Sequence, residues 1–155
     1  MKRYRNILVP VDGSELSMDA FEQAVSLSSM TGSKITVLHV IEFIYSDYTM
    51  LEGAEIISAS NLIQSETREQ VKSSLEEFVR KGEKEGVEVR TLIKEGPVAQ
   101  EIIELSKHYD LIIIGTHGRR MIASLIMGSV AEKVSRHASC PVMLVRKPPE
   151  QKEEN

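Results

Sequence analysis

Three glycines and a serine carry the clearest chemistry in this chain: Gly115, Gly118, Gly128 and Ser129, spaced as Gly-x2-Gly-x9-Gly-Ser. A glycine lets the backbone turn tightly and approach a ligand that any Cβ would hold away. Gly128-Ser129-Val130 also opens a helical pattern, and Ser129-Val-Ala-Glu132 has the form of a capping box. A helix start offers unpaired N–H donors and the positive end of the dipole, both suited to phosphate. Gly115 and Gly118 would line one side of a phosphate pocket, and Gly128, Ser129 and the Val130 N–H the other. A plainer use competes with this one, since loops after strands often hold glycine and Gly128 could serve only close helix packing. The placement favours the ligand: the loop follows Leu111-Ile-Ile-Ile114, an unbroken apolar run of the kind found in a strand covered on both faces.

Other reactive groups accompany the loop. Asp12, in Asp12-Gly13-Ser14 at the end of the first strand, is either a catalytic or metal carboxylate or ordinary turn and cap chemistry, and it stands beside the crevice. His117 lies inside the glycine loop, but no acidic residue stands near it in sequence to orient it as a base, so a solvated loop histidine is expected. Arg119 and Arg120 form a solvated face or reach triphosphate oxygens. His137 and Cys140 are too few ligands for a metal, and Cys140 reads as a structural thiol. His39 and His108 suggest no role.

There is no Gly-x4-Gly-Lys-Ser/Thr, no Gly-x-Gly-x-x-Gly after the first strand and no Gly-x-Ser-x-Gly. A receiver would want an acidic pair after the first strand and an acceptor Asp after the third, where single Asp12 and Ile93-Lys-Glu-Gly96 stand. A flavodoxin-type loop would follow the first strand, where only Asp-Gly-Ser stands. No catalytic residue is assigned, and at most slow turnover is expected.

The bulk properties narrow the class. A chain of 155 residues with 41% apolar content makes one core without staples. A net charge of -4 argues against a non-specific nucleic-acid binder, which needs many Lys and Arg contacts to phosphate. No run of 18 apolar residues is present, so no membrane span is expected. The apolar stretch that follows the basic start is broken at once by Pro10 and Asp12, so no signal peptide is expected. The single Cys140 suits a reducing compartment, so a cytoplasmic protein is expected.

The elements that must position the loop alternate. Asn6–Val11 reads as a strand, and Leu16, Ala20, Ala24 and Leu27 recur at helical spacing up to a C-cap glycine at Gly32. Ile35–Ile41 is a second strand. A helix over roughly Asn61–Glu85 buries Val71, Leu75 and Phe78 and ends at Gly86. Val87–Ile93 is the third strand, followed by a helix with Pro97 at its first position and Ile102, Ile103 and Leu105 buried. Leu111–Ile114 is the fourth strand, a helix runs to about His137, and Pro141–Val145 is the fifth strand.

Strands separated by helices imply a doubly wound α/β three-layer sandwich, with the ligand crevice beyond the carboxyl ends of the strands. The region from Glu42 to Ser60 is long and apolar: either the second helix begins near Glu52, or the segment is a lid or contact surface for a protein partner. Residues 1–146 read as one domain, and the polar tail 147–155 as disordered.

The spacing Gly115-x2-Gly118-x9-Gly128-Ser129 resembles the ATP-binding signature of the universal stress protein family. Ile7-Leu-Val-Pro-Val-Asp-Gly-Ser14 resembles that family's first strand and turn, and Leu38-His39-Val40, Gly128–Val134 and Cys140–Val145 follow in the family's order. The resemblance spans about Tyr4 to Arg146. It implies a five-stranded parallel sheet in the order 3-2-1-4-5 with about four helices.

It implies also an adenine nucleotide, ATP or its AMP and ADP relatives, with a divalent cation (Mg or Mn) held mainly by the phosphates. Carried over residue by residue, Pro10 and Asp12 would contact the nucleoside and the backbone of Val40 the adenine edge. Gly115, Gly118, Gly128, Ser129 and Val130 would take ribose and phosphates. The last strand, Val142–Val145, would join two copies into a homodimer. The function so implied is a nucleotide-binding stress-response module with little hydrolysis; the alternative is a weak ATPase or nucleotidyl-transferring enzyme using the same crevice.

Overall fold

Five short strands assemble into one sheet with helices on both faces. The computed structural model describes residues 4–42, 53–118 and 127–147, with the backbone alone for 53–67. In chain order the elements are β1 (Asn6–Pro10), α1 (Glu15–Thr31), β2 (Lys34–Ile41), α2 (Gly53–Lys84), β3 (Val89–Glu95), α3 (Val98–Leu105), a 3-10 turn (Ser106–His108), β4 (Leu111–Gly115), α4 (Ser129–His137) and β5 (Val142–Val145). All strands pair in parallel, in the order β3-β2-β1-β4-β5.

The unbroken apolar run of β4 has a direct cause. Leu111 and Ile113 enter one core with Ala20, Phe21 and Ala24 of α1 and Leu75 and Phe78 of α2. Ile112 and Ile114 enter a second core with Ile102 of α3 and Val134 of α4. Successive side chains point to opposite faces, so a strand with helices on both sides has no polar position. Complete burial of each such side chain stabilises the fold by about 1.5–3 kcal/mol.

Local chemistry sets the element ends. The Ser14 hydroxyl caps α1 by accepting from Ser17 N–H at 3.2 Å. Gly32 closes that helix in the left-handed region, φ 72°, with its N–H donating to Ser28 C=O at 2.8 Å. The Asp110 carboxylate accepts from the N–H groups of both Arg5 and Asn6 at 2.9 Å, which ties the start of β1 to the start of β4.

Several boundaries differ from expectation. Helix α2 begins at Gly53, eight residues before Asn61, so regular helix takes up the second half of the long insert. The side chains of Ile56 and Ile57, and the expectations for residues 43–52, lie outside the described residues. Strand β3 starts at Val89, because Val87 N–H donates to Gly82 C=O at 2.9 Å and closes the end of α2. It continues to Glu95, drawn on by pairing with Ile41. Pro97 is the extended N-cap of α3, with ψ 123°, and Val98 is the first helical residue, since Gly96 N–H still donates to Ile41 C=O at 3.0 Å and holds the chain to the sheet.

The connections leave β1 toward β2 and β3, then cross back to β4 and β5, so strand order reverses between β1 and β4. The carboxyl ends of those two strands flank the crevice where such sheets take ligands. Of the tail, Lys147 ion-pairs with Glu15 of α1 at 3.4 Å, and residues 148–155 lie outside the described residues. No described helix is long and apolar enough to cross a membrane.

Candidate functional site

Four chain segments converge at the carboxyl edge of the sheet. Pro10, buried, is the last residue of β1 and pairs with Leu38. The chain then turns at Asp12-Gly13-Ser14: Ser14 N–H donates to Asp12 Oδ1 at 3.0 Å, and Gly13 takes φ 83°. This is an Asx turn, and it fixes the carboxylate at the end of β1.

Gly118 lies against that carboxylate. A Cβ built at Gly118 would overlap Asp12 Oδ2, so the glycine loop and the β1 turn approach as closely as only glycine permits. The other half of the loop is held through Thr116, which is buried. Thr116 N–H donates to Val145 C=O at 2.8 Å, and Thr116 C=O accepts from Gly128 N–H at 2.6 Å. A Cβ at Gly128 would stand 3.1 Å from the same Thr116 oxygen. Gly115 packs on the first turn of α1, where a Cβ would meet Leu16 Cβ at 3.0 Å. His117 Nδ1 is 3.1 Å from Thr116 Oγ1.

The capping box expected at Ser129 does not form. Gly128 is the N-cap, extended at φ -70° and ψ 159°, and no side chain caps the helix. Its bond to Thr116 puts the cap one residue earlier than the box requires. Ser129 becomes the first helical residue, and Glu132 pairs with Arg136 at 2.9 Å instead. The first bond of the helix runs from Glu132 N–H to Gly128 C=O at 3.0 Å. The N–H groups of Ser129, Val130 and Ala131 therefore precede the ladder of α4 and are available to an anion.

Val40 completes the crevice from the β2 side. Its side chain is buried in the second core, against which Val130 packs. Ile41 C=O bonds toward β3, accepting from Gly96 N–H, so the peptide groups of Val40 face the opposite way. They lie beyond Pro10, where no strand continues to pair with them.

A groove of about 430 Å³ runs from Glu42 across the first turn of α3 to Ser129, Val130 and Lys133 of α4. Asp12, Gly115 and Gly118 lie outside its lining, so a ligand reaching from the groove to the glycine loop would extend along the open edge of the sheet. The structure thus brings Asp12 to Gly118 and Gly128 to Thr116, and places Val40 in the same core against which Val130 packs.

The groups set aside from the site keep other company. Cys140 packs against the second core, and among the described residues no group of three or more His, Cys, Asp or Glu is gathered for a metal. Arg119 and Arg120 lie outside the described residues. Lys34, with Arg90, hydrogen-bonds Glu88 and holds its carboxyl below the usual carboxylate range, at the amino ends of the strands and far from the site.

Two contributors carried no signal in sequence. Thr116 acts through its main chain, which any residue type supplies. His39 places its ring Nδ1 3.0 Å from Val11 C=O, an approach that only the pairing of β1 with β2 creates.

Comparison with known proteins gives a consistent result. The sequence model of the universal stress protein family matches residues 3–146. A universal stress protein of Methanocaldococcus jannaschii is 31% identical over 147 residues, which cover 94% of this chain and 84% of that protein. The structure of a universal stress protein from Lactobacillus plantarum superposes with a TM-score of 0.82 at 24% identity, covering 94% of this chain and 100% of that one. A family member from Arabidopsis thaliana, solved with AMP bound, superposes with a TM-score of 0.65 at 25% identity and covers 97% of each chain.

Proposed function

This chain belongs to the universal stress protein family, and on that premise we propose that it binds an adenine nucleotide, ATP, at the carboxyl edge of its sheet. The observation that carries the reading is the contact between Gly118 and Asp12, where a Cβ would overlap the carboxylate. A glycine pressed against an acidic turn at the switch point suits a ligand that needs both the backbone and the carboxylate. The AMP bound by the Arabidopsis thaliana relative supports the same reading.

The chemistry of each part matches a part of the nucleotide. The free N–H groups at the start of α4 suit phosphate, and Asp12 suits ribose hydroxyls. The N–H and C=O of Val40 suit adenine, whose N1 accepts where its 6-amino group donates; guanine presents the reverse pattern and is refused. A divalent cation would be held mainly by the phosphates, neutralising charge that Asp12 opposes. Pro10 would form the floor beneath the nucleoside.

The role we assign is a nucleotide-dependent regulatory module with little or slow hydrolysis. Dimerisation through β5 belongs to the same proposal: this edge strand exposes Met143 and Leu144, at 41% and 37%, and an apolar edge is a template for pairing. Sedimentation velocity is expected to give a dimer for the native chain and a monomer for Leu144→Lys. A monomeric native chain would refute this part.

Thermal unfolding tests the nucleotide reading. ATP–Mg at 100 times its dissociation constant adds about 2.7 kcal/mol, a rise of roughly 5–10 °C for a domain of this size. GTP should give no such rise, and Gly128→Ala should abolish it. Equal shifts with ATP and GTP, or none after removal of co-purified nucleotide, would contradict the reading. Rapid phosphate release lost on Gly118→Ala would instead favour an enzyme.

A further inference from the structure

The β1–β2 ladder stops one rung short of what its register allows. The strands pair from Asn6 with Lys34 to Pro10 with Leu38, and Val11 N–H still donates to Leu38 C=O at 2.8 Å. In a parallel ladder the next bond would run from Val40 N–H to Val11 C=O. Among the described residues that bond is not made. The Val11 carbonyl meets the ring of His39 instead, with Nδ1 at 3.0 Å. A carbonyl oxygen only accepts, so Nδ1 carries the hydrogen.

His39 can do this because of its place in β2. It lies on the same sheet face as Ile35 and Val37, pairs across β3 with Ile93, and is half-buried. Its ring therefore rises beside the last residues of β1 on the α1 face, while the peptide groups of Val40 stay in the plane of the sheet. An aliphatic side chain here would leave the Val11 carbonyl without this donor. The nearest replacement is the Val40 N–H, because a half-buried main-chain acceptor seeks a partner.

We propose that His39 is a positioning residue for the nucleotide site: by donating from Nδ1 to Val11 C=O, it keeps the Val40 N–H and C=O open to the edge of the base. The proposal rests on the adenine-nucleotide reading above and adds the device that keeps the base edge vacant. It assigns His39 no contact with the ligand.

Calorimetric titration of the native chain, His39→Leu and His39→Asn, with ATP–Mg and with inorganic tripolyphosphate as a probe lacking the base, tests it. In Asn, Nδ2 occupies the position of the His Nδ1 and donates in the same direction. His39→Leu is expected to weaken ATP roughly tenfold or more, and His39→Asn to stay within about threefold of the native chain. All three should bind tripolyphosphate equally. In the nucleotide-free protein, Val40 amide exchange should be fast in the native chain and in His39→Asn, and slowed in His39→Leu as the rung closes.

ATP affinity unchanged in His39→Leu would overturn the proposal. So would parallel loss of ATP and tripolyphosphate, which would mean general loosening of the site. A native chain that binds no ATP would refute the nucleotide reading itself, and Val40 exchange would then decide the role of His39 alone.

Discussion

Gly118→Ala is expected to weaken ATP binding by roughly a hundredfold at a modest cost in stability, about 0.5–1.5 kcal/mol, the net worth of one hydrogen bond. The loss follows from one contact: the added Cβ overlaps Asp12 Oδ2, and Asp12 cannot simply swing aside because Ser14 N–H holds Oδ1 at 3.0 Å. Either the carboxylate leaves the Asx turn or the loop lifts from β1, and both separate groups that the nucleotide needs together. Hydrogen bonds to a charged group are worth about 1.5–3 kcal/mol, and about 2.7 kcal/mol is a hundredfold in affinity.

Backbone strain contributes nothing to that loss, since Gly118 is not among the glycines with positive φ. It is also exposed, so the loss of stability should not exceed that of the one hydrogen bond displaced. A double-mutant cycle isolates the cause. In an Asp12→Ala background the clash partner is gone, and Gly118→Ala should then cost about threefold or less. A full hundredfold loss in that background would place the effect elsewhere in the loop.

Phe21→Ala gives the opposite pattern, a large loss of stability with nucleotide affinity retained in the folded fraction. Phe21 is 1% exposed and meets Phe78 edge to face, with ring centroids 4.9 Å apart and planes at 78°. It joins α1 and α2 over the sheet in the first core. Truncating a buried Phe to Ala costs about 3–5 kcal/mol in lost transfer energy and cavity, part of it the lost aromatic pair. Against a total of about 5–15 kcal/mol this is a large share, and a fall in melting temperature of about 10 °C or more is expected. Urea unfolding checks it. A change below about 1 kcal/mol would mean that the α1–α2 interface closes over the gap.

The parts legible in the sequence were those written in burial. Leu111–Ile114 announces a strand covered on both faces, and its alternating residues do enter two separate cores. Leu75 and Phe78 of α2 follow helical periodicity because one face alone meets the sheet. Gly32 marks the end of α1 because a left-handed cap favours glycine.

What stayed hidden depends on tertiary hydrogen bonds. The capping box at Ser129 failed because Gly128 N–H binds Thr116 C=O, a partner that periodicity does not reveal. The strand assigned from Val87 began two residues later because Val87 serves the end of α2. His39 showed no role because its function depends on the Val11 carbonyl, 28 positions away in the chain. The glycine spacing was visible from the start, but the close approach of Gly118 to Asp12 needed β1 and β4 side by side.

The most direct measurement is an amide-resolved NMR titration of the isotopically labelled chain with ATP–Mg. The account predicts saturable shifts at Val40, Gly115, Gly118, Gly128, Ser129 and Val130, absent with GTP at Val40. Shifts confined to α2 or β5, or none at all, would contradict a nucleotide site at the carboxyl edge of the sheet.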